Sequence, residues 1–197
     1  MNDKIINPRI LHIDVERGWR GGQQQAYYLF MSEINRNINS SFACLKSSKL
    51  ESQLITSKVP HISVNFKKEL DFISAKKVAG YAKKHQINII VCHSSHSLSL
   101  GLMAKMFYKS VKLIAVRRVD FKTSGNVLSR WKYNNSLLDK IVCISEKIKD
   151  VMSDRVDDNS KLITIRSGID IQRFSGSVGN KIRKEFNEVM RITSKLI

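Results

Sequence analysis

Apolar residues along this chain alternate between two periods. Short β-rich runs recur at Arg9–Val15, Ser41–Leu45, His61–Val64, Asn88–Cys92, Lys112–Val116, Lys140–Ile144 and Lys161–Ile165. The runs Ile-Asn-Ile-Ile-Val-Cys and Lys-Ile-Val-Cys-Ile are apolar without strict alternation, as strands buried on both faces of a parallel sheet require. Between several runs the spacing lengthens to three and four residues. Gln23–Asn35 then carries Ala26, Leu29, Phe30 and Ile34 on one helical face, Phe72–His85 carries Ile73, Val78 and Tyr81, and Leu98–Tyr108 carries Leu102 and Met106. Strand and helix in turn over most of the chain predict one α/β domain with an open, doubly wound and mainly parallel sheet. The pattern breaks after Phe174 at Ser-Gly-Ser-Val-Gly. This predicts a domain over 9–174 and a basic helical tail or truncated linker over 175–197.

Composition narrows the partners. The chain has 197 residues, 42% of them hydrophobic, enough for a packed core. Its 34 Lys+Arg against 17 Asp+Glu leave a formal charge of +17, which directs it toward anionic partners: a membrane surface or nucleic acid. A nucleic-acid reader concentrates basic residues with aromatics on one element, whereas here they are dispersed, so no specific nucleic acid is expected. The 3 cysteines, Cys44, Cys92 and Cys143, form no CxxC pair and sit in apolar runs, which predicts buried thiols in a reducing compartment. The longest apolar run, Ile87–Cys92, falls far short of the ~20 residues of a spanning helix. A cytoplasmic protein, in peripheral contact with the inner membrane face, is expected.

Several strand ends carry chemistry. Gly18-Trp19-Arg20-Gly21-Gly22-Gln23 follows a strand and opens a helix. It is either a phosphate cradle of free helix-start N–H groups or a tight turn that uses glycine for a positive φ. His93-Ser94-Ser95-His96 follows the fourth strand and lines a cleft there, His93 being nearer the strand end; a metal pair would need a third ligand, and none is close in sequence. Arg117-Arg118-Val119-Asp120 follows the fifth strand, either as a phosphate or acidic-sugar site or as a solvated turn paired with Asp120. Glu16 and Asp14 are read as a base or as strand-end polar groups, and His12 as a satisfied core histidine.

These stretches, with Asp139-Lys140-Ile141-Val142-Cys143-Ile144-Ser145 and Ser167-Gly168-Ile169-Asp170…Phe174, resemble the amino-terminal half of a family 4 glycosyltransferase of two-domain GT-B architecture. The resemblance implies a Rossmann-like domain and transfer of a sugar, with retention, from a nucleotide-sugar to a surface-polysaccharide or lipid-linked acceptor. It implies Gly21, Gly22 and Arg20 against the donor diphosphate, His93 as the catalytic cleft residue, and Arg117, Arg118 and Glu16 toward acceptor or phosphate. The nucleotide-sugar enters as substrate, and no further cofactor or metal is expected. The family's second domain grips the donor with two glutamates that have seven residues between them, a spacing absent among the seven glutamates here. The carboxyl-terminal donor domain is therefore expected to be missing, and activity to require a separate chain that supplies it. The alternative is a non-catalytic basic α/β remnant or a binding module for anionic membrane surfaces.

Overall fold

The computed structural model describes residues 7–67, 69–119 and 127–168. The chain divides into two compact units, Met1–Arg166 and Ser167–Ile197, and every described helix and strand lies in the first. Asp120, Ile169, Asp170, Phe174 and the tail 175–197 fall outside the described residues.

Seven strands, β1 (Arg9–Asp14), β2 (Asn39–Leu45), β3 (His61–Val64), β4 (Ile89–Cys92), β5 (Lys112–Arg117), β6 (Lys140–Cys143) and β7 (Leu162–Thr164), form one sheet. Its order is β3-β2-β1-β4-β5-β6-β7, and every pairing is parallel. The chain winds outward from β1 to β3, then crosses back to β4 and winds the other way. The switch between β1 and β4 is where open sheets of this kind leave a crevice beyond the strand carboxyl ends.

Alternation along the strands feeds two cores. On one face Phe42 and Cys44 of β2 pack with Ala26 and Phe30 of α1 (Gly21–Asn35) and with Leu50 and Leu54 of α2 (Lys49–Thr56). Their β2 neighbours Ala43 and Leu45 point the opposite way. They join Leu11, Ile13 and Val15, with Val78 of α3 (Phe72–Lys84) and Leu98 and Leu102 of α4 (Ser95–Phe107). Two further short helices are α5 (Val127–Asn134) and α6 (Glu146–Ser153). The expected doubly wound arrangement is the one observed.

Three residues assigned to buried helical faces are in fact exposed: Leu29, Ile73 and Met106. The inner face of α1 is narrower than the apolar spacing suggests, that of α3 is made of small side chains, and α4 is buried all round over 97–105. In α1 the buried residues are Gln23, Ala26 and Phe30; in α3 they are Ser74, Ala75, Val78, Ala79 and Ala82, which lets α3 lie close against α4. Helices α2, α5 and α6 have only eight residues each, too few for a periodic pattern to stand out. The signal for α2 was its cap: Ser48 Oγ accepts from Glu51 N–H at 3.1 Å and Glu51 Oε2 accepts from Ser47 N–H at 2.5 Å.

Three helices end without the usual glycine. Asn37, Lys58 and Gln86 take positive φ of 57°, 54° and 53°. After each, the N–H of an apolar residue reaches back into the last turn: Ile38 to Glu33 O, Val59 to Leu54 O and Ile87 to Ala82 O. These are Schellman closures, and at two of them the apolar residue, Val59 or Ile87, packs into a core.

Candidate functional site

A cavity of about 850 Å³ opens at the carboxyl ends of β1, β4 and β5. Gly18, Arg20 and Gly22 reach it from the β1–α1 connection, His93 to His96 from the end of β4, and Arg117 and Arg118 from the end of β5. Glu16, Arg17, Lys67 and Glu69 complete its charged lining. Three turns that lie far apart in sequence therefore meet at one rim. Gly21 is the exception: it begins α1 but does not line the cavity. Among the described lining residues five carry guanidinium or ammonium groups and two carry carboxylates, which leaves the cavity a surplus of positive charge.

The start of α1 is open. In α2, α3, α4 and α6 a Ser or Asp side chain caps the first turn: Ser48, Asp71, Ser94 and Ser145. In α1 the preceding residue is Arg20, which has no acceptor to offer. Only the return half of a cap exists, with Arg20 N–H donating to Gln23 Oε1 at 3.0 Å. The N–H groups of Gly21, Gly22 and Gln23 have no acceptor within the helix. The glycines are not there for backbone freedom, because no described glycine has a positive φ, which removes the tight-turn reading. A Cβ at Gly21 or Gly22 would meet nothing within 4 Å. What the missing side chains leave is room beside exposed N–H donors.

Beneath this turn Asp14 is fully buried. Its Oδ1 accepts from Glu16 N–H at 3.0 Å and its Oδ2 from Gln23 Nε2 at 3.4 Å. Burial pushes its carboxyl up to about 6, more than these donors pull it down. One amide thus ties the end of β1 to the mouth of α1, with Gln23 bonding both Asp14 and Arg20.

The two arginines diverge, as successive strand residues must. Arg117 hydrogen-bonds the buried Tyr133 of α5. Arg118 turns toward β4, where Nη2 donates to His93 Nδ1 at 2.9 Å and Nη1 to His93 O at 3.4 Å. Its buried Nε has no acceptor. Burial, with His12 and Arg118 beside it, holds His93 well below the ordinary histidine value, so the ring is neutral. At the rim Glu16 Oε1 meets His96 Nδ1 at 2.9 Å, and Glu69 Oε1 meets His96 Nε2 at 3.5 Å. Lys132, itself buried, donates to Ser95 Oγ at 2.7 Å.

Sequence reasoning missed the partner of His93. His12 is a fully buried core residue, as expected, yet its Nδ1 lies 2.8 Å from His93 Nε2 and its Nε2 lies 2.7 Å from Glu33 Oε2. The only sequence signal was a polar residue inside an otherwise apolar strand.

A search of curated protein sequences returns no match. Among solved structures, a glycosyltransferase from Rickettsia africae superposes with a TM-score of 0.73 at 17% identity, covering 93% of this chain and 50% of that one. Anabaena HepE in complex with UDP and glucose superposes with a TM-score of 0.69 at 16% identity, covering 91% and 50%. The apo form of WaaB, a lipopolysaccharide outer core galactosyltransferase, gives 0.62 at 14%, covering 83% and 46%. At such identities the likeness is one of fold, and the chain spans about half the length of these relatives. The family profile described as Glycosyltransferase Family 4 matches residues 20–173. With this match, running from the arginine before the paired glycines to the residue before Phe174, the chain belongs to glycosyltransferase family 4.

Proposed function

We propose that this chain is the acceptor-side half of a retaining glycosyltransferase that moves a sugar from a nucleotide-sugar donor to a surface-polysaccharide or lipid-linked acceptor. In that reaction the bond from the anomeric carbon to the diphosphate oxygen breaks and a bond to an acceptor oxygen forms. The nucleoside diphosphate leaves with added negative charge. The observation that carries the reading is the cation-rich cavity at the β1/β4 switch, with uncapped N–H groups of α1 at its edge. Fixed donors aimed at a developing phosphate charge are the largest single aid such a reaction can receive.

In this reading the Gly22 N–H and the Arg20 side chain receive the diphosphate, with Gly21 behind them at the start of α1. His93 faces the transferred sugar as a neutral ring, Arg117 and Arg118 face phosphate or acceptor, and Glu16, held by His96, orients the acceptor side. The UDP and glucose bound by HepE make UDP-glucose the first donor to try, and the substrate class of WaaB makes lipopolysaccharide core the first acceptor. Turnover is expected only with a chain or domain that covers the other side of the nucleotide. The formal charge of +17 supports peripheral contact with an anionic membrane on which a lipid-linked acceptor would lie.

The test is calorimetric titration of the chain with UDP, UDP-glucose and pyrophosphate, alongside radiolabelled transfer to lipopolysaccharide core. Saturable binding of the diphosphates without turnover by the chain alone is expected. Binding by none of the three would sink the proposal.

A further inference from the structure

We propose that Glu33 and His12 are positioning residues for the anion site: a directed hydrogen-bond chain, Glu33–His12–His93–Arg118, fixes the His93 tautomer that holds the Arg118 guanidinium at the cavity. The nature of the anion rests on the function proposed above; the chain itself rests on geometry alone.

The direction of every bond follows from its two ends. An arginine has only donors and a carboxylate only acceptors. Arg118 Nη2 lies 2.9 Å from His93 Nδ1, so Nδ1 must accept. The His93 ring is neutral, held so by burial and by the two basic groups beside it, and its proton therefore sits on Nε2. That N–H donates to His12 Nδ1 at 2.8 Å, which leaves the His12 proton on Nε2. This N–H in turn donates to Glu33 Oε2 at 2.7 Å, an oxygen that also accepts from Ser40 Oγ at 2.6 Å. One arrangement of protons satisfies all three links, and no other does.

The rings cannot escape by rotating. His12 stacks on Phe42 and on His93, with centroids 5.5 Å and 5.1 Å apart, and Phe30 meets it edge-on at 5.9 Å. Loss of the Glu33 acceptor would leave the His12 Nε2–H unpaired among aromatic rings, at a cost that drives the proton to Nδ1. His93 Nε2 would then have to accept, placing a proton on His93 Nδ1 against the Arg118 N–H. Two donors would face each other, and the guanidinium would move off. Glu33, on the body of α1 and outside the cavity lining, thus acts on Arg118 through two rings. Arg118 itself lines the cavity, so a shift of its guanidinium changes the surface a ligand would meet.

The test combines ring ¹⁵N spectra with pyrophosphate and UDP titrations of the wild type, Glu33→Leu, Glu33→Gln and Arg118→Met. In the wild type both His12 and His93 should show a protonated Nε2 and a bare Nδ1 at neutral pH. Glu33→Leu should move the proton of both rings from Nε2 to Nδ1, whereas Arg118→Met should leave both on Nε2, because Glu33 still directs them. Glu33→Leu should weaken pyrophosphate binding at least tenfold, as far as Arg118→Met does, and the double variant should lose no more than Arg118→Met alone. Glu33→Gln, whose amide oxygen still accepts from His12, should stay within about threefold of wild type, since one shared acceptor is retained. A wild-type spectrum with either Nδ1 protonated overturns the chain, as does a folded Glu33→Leu in which both rings keep the proton on Nε2. Should Glu33→Leu fail to fold, the wild-type spectrum decides. Wild-type binding with Glu33→Leu unchanged overturns the positioning role alone, whereas a wild type that binds neither probe defeats the diphosphate reading and that role together.

Discussion

Replacement of Gly22 by alanine separates the two demands that a glycine can serve. The position lies in the first turn of α1 and lines the cavity. An added Cβ meets no atom within 4 Å, and the backbone has no positive φ. The fold therefore gains from alanine: its helix preference and the stiffer unfolded chain are worth about 0.4–1 kcal/mol. In a domain of this size that raises Tm by about 1–4 °C. For the ligand the sign reverses. A methyl group beside the N–H holds a phosphate oxygen away, and losing one charge-assisted hydrogen bond costs about 1.5–3 kcal/mol. Affinity for pyrophosphate or UDP should fall on the order of 10- to 100-fold, and Gly22→Val should lower it further. Scanning calorimetry and isothermal titration on the same samples read both effects. A variant that is more stable and binds as well as the wild type would remove the phosphate cradle. A less stable variant would refute the claim that the space beside Gly22 is empty.

Other outcomes test the surrounding structure. Because Asp14 sits at about 6 against an ordinary 3.8, the folded protein holds that proton more tightly than the unfolded chain. The resulting stabilisation is complete below pH ~4 and is lost as pH rises through ~6, about 3 kcal/mol in all. Urea titrations of Asp14→Asn and wild type should differ by that change between pH 4 and 7, and a pH-independent difference would contradict it. At Gly101, by contrast, a Cβ would stand 2.5 Å from Cys92 Sγ and 2.9 Å from Leu113 Cδ1. Gly101→Ala should destabilise by about 1–3 kcal/mol, with partial recovery when Cys92→Ala is added; independent, additive losses would argue against the contact. All three thiols are buried, and burial pushes Cys44 up to about 12 and raises Cys92 and Cys143. A disulfide reagent should therefore leave them unmodified in native protein and label them on denaturation, and fast native labelling of any one would be inconsistent. Gln86→Gly, at a φ of 53°, should stabilise by about 0.5–1 kcal/mol in thermal melts, and destabilisation would mean the strain is not there.

The seven strands were legible because a parallel strand buried on both faces must be apolar throughout, and a run such as Ile89–Cys92 shows this without reference to its neighbours. The long helices were legible as helices but less so in their facing. Ile73 fits the spacing of an apolar stripe yet is 85% exposed, because Asp71 sets where α3 starts and the alanines after it set how closely it packs. Helices α2 and α6 start at serine caps, and α2, α5 and α6 alike had too few turns to show a period. The turns at Asn37, Lys58 and Gln86 lack the glycine that usually marks a helix end, so the signal there was absent rather than overlooked.

By itself the amino-acid order determined an alternating α/β chain, a strong positive charge, and three polar turns each directly after a strand. Local periodicity and residue chemistry carry that much, since they act between near neighbours. Tertiary structure alone decided that those turns share one rim, because that depends on the reversal of winding between β1 and β4. It also decided that Arg117 and Arg118 part company, and that His12, 81 residues before His93, stands against it with Glu33 behind. Such contacts join side chains across adjacent parallel strands, and the register that aligns them is fixed by the packing of the whole sheet.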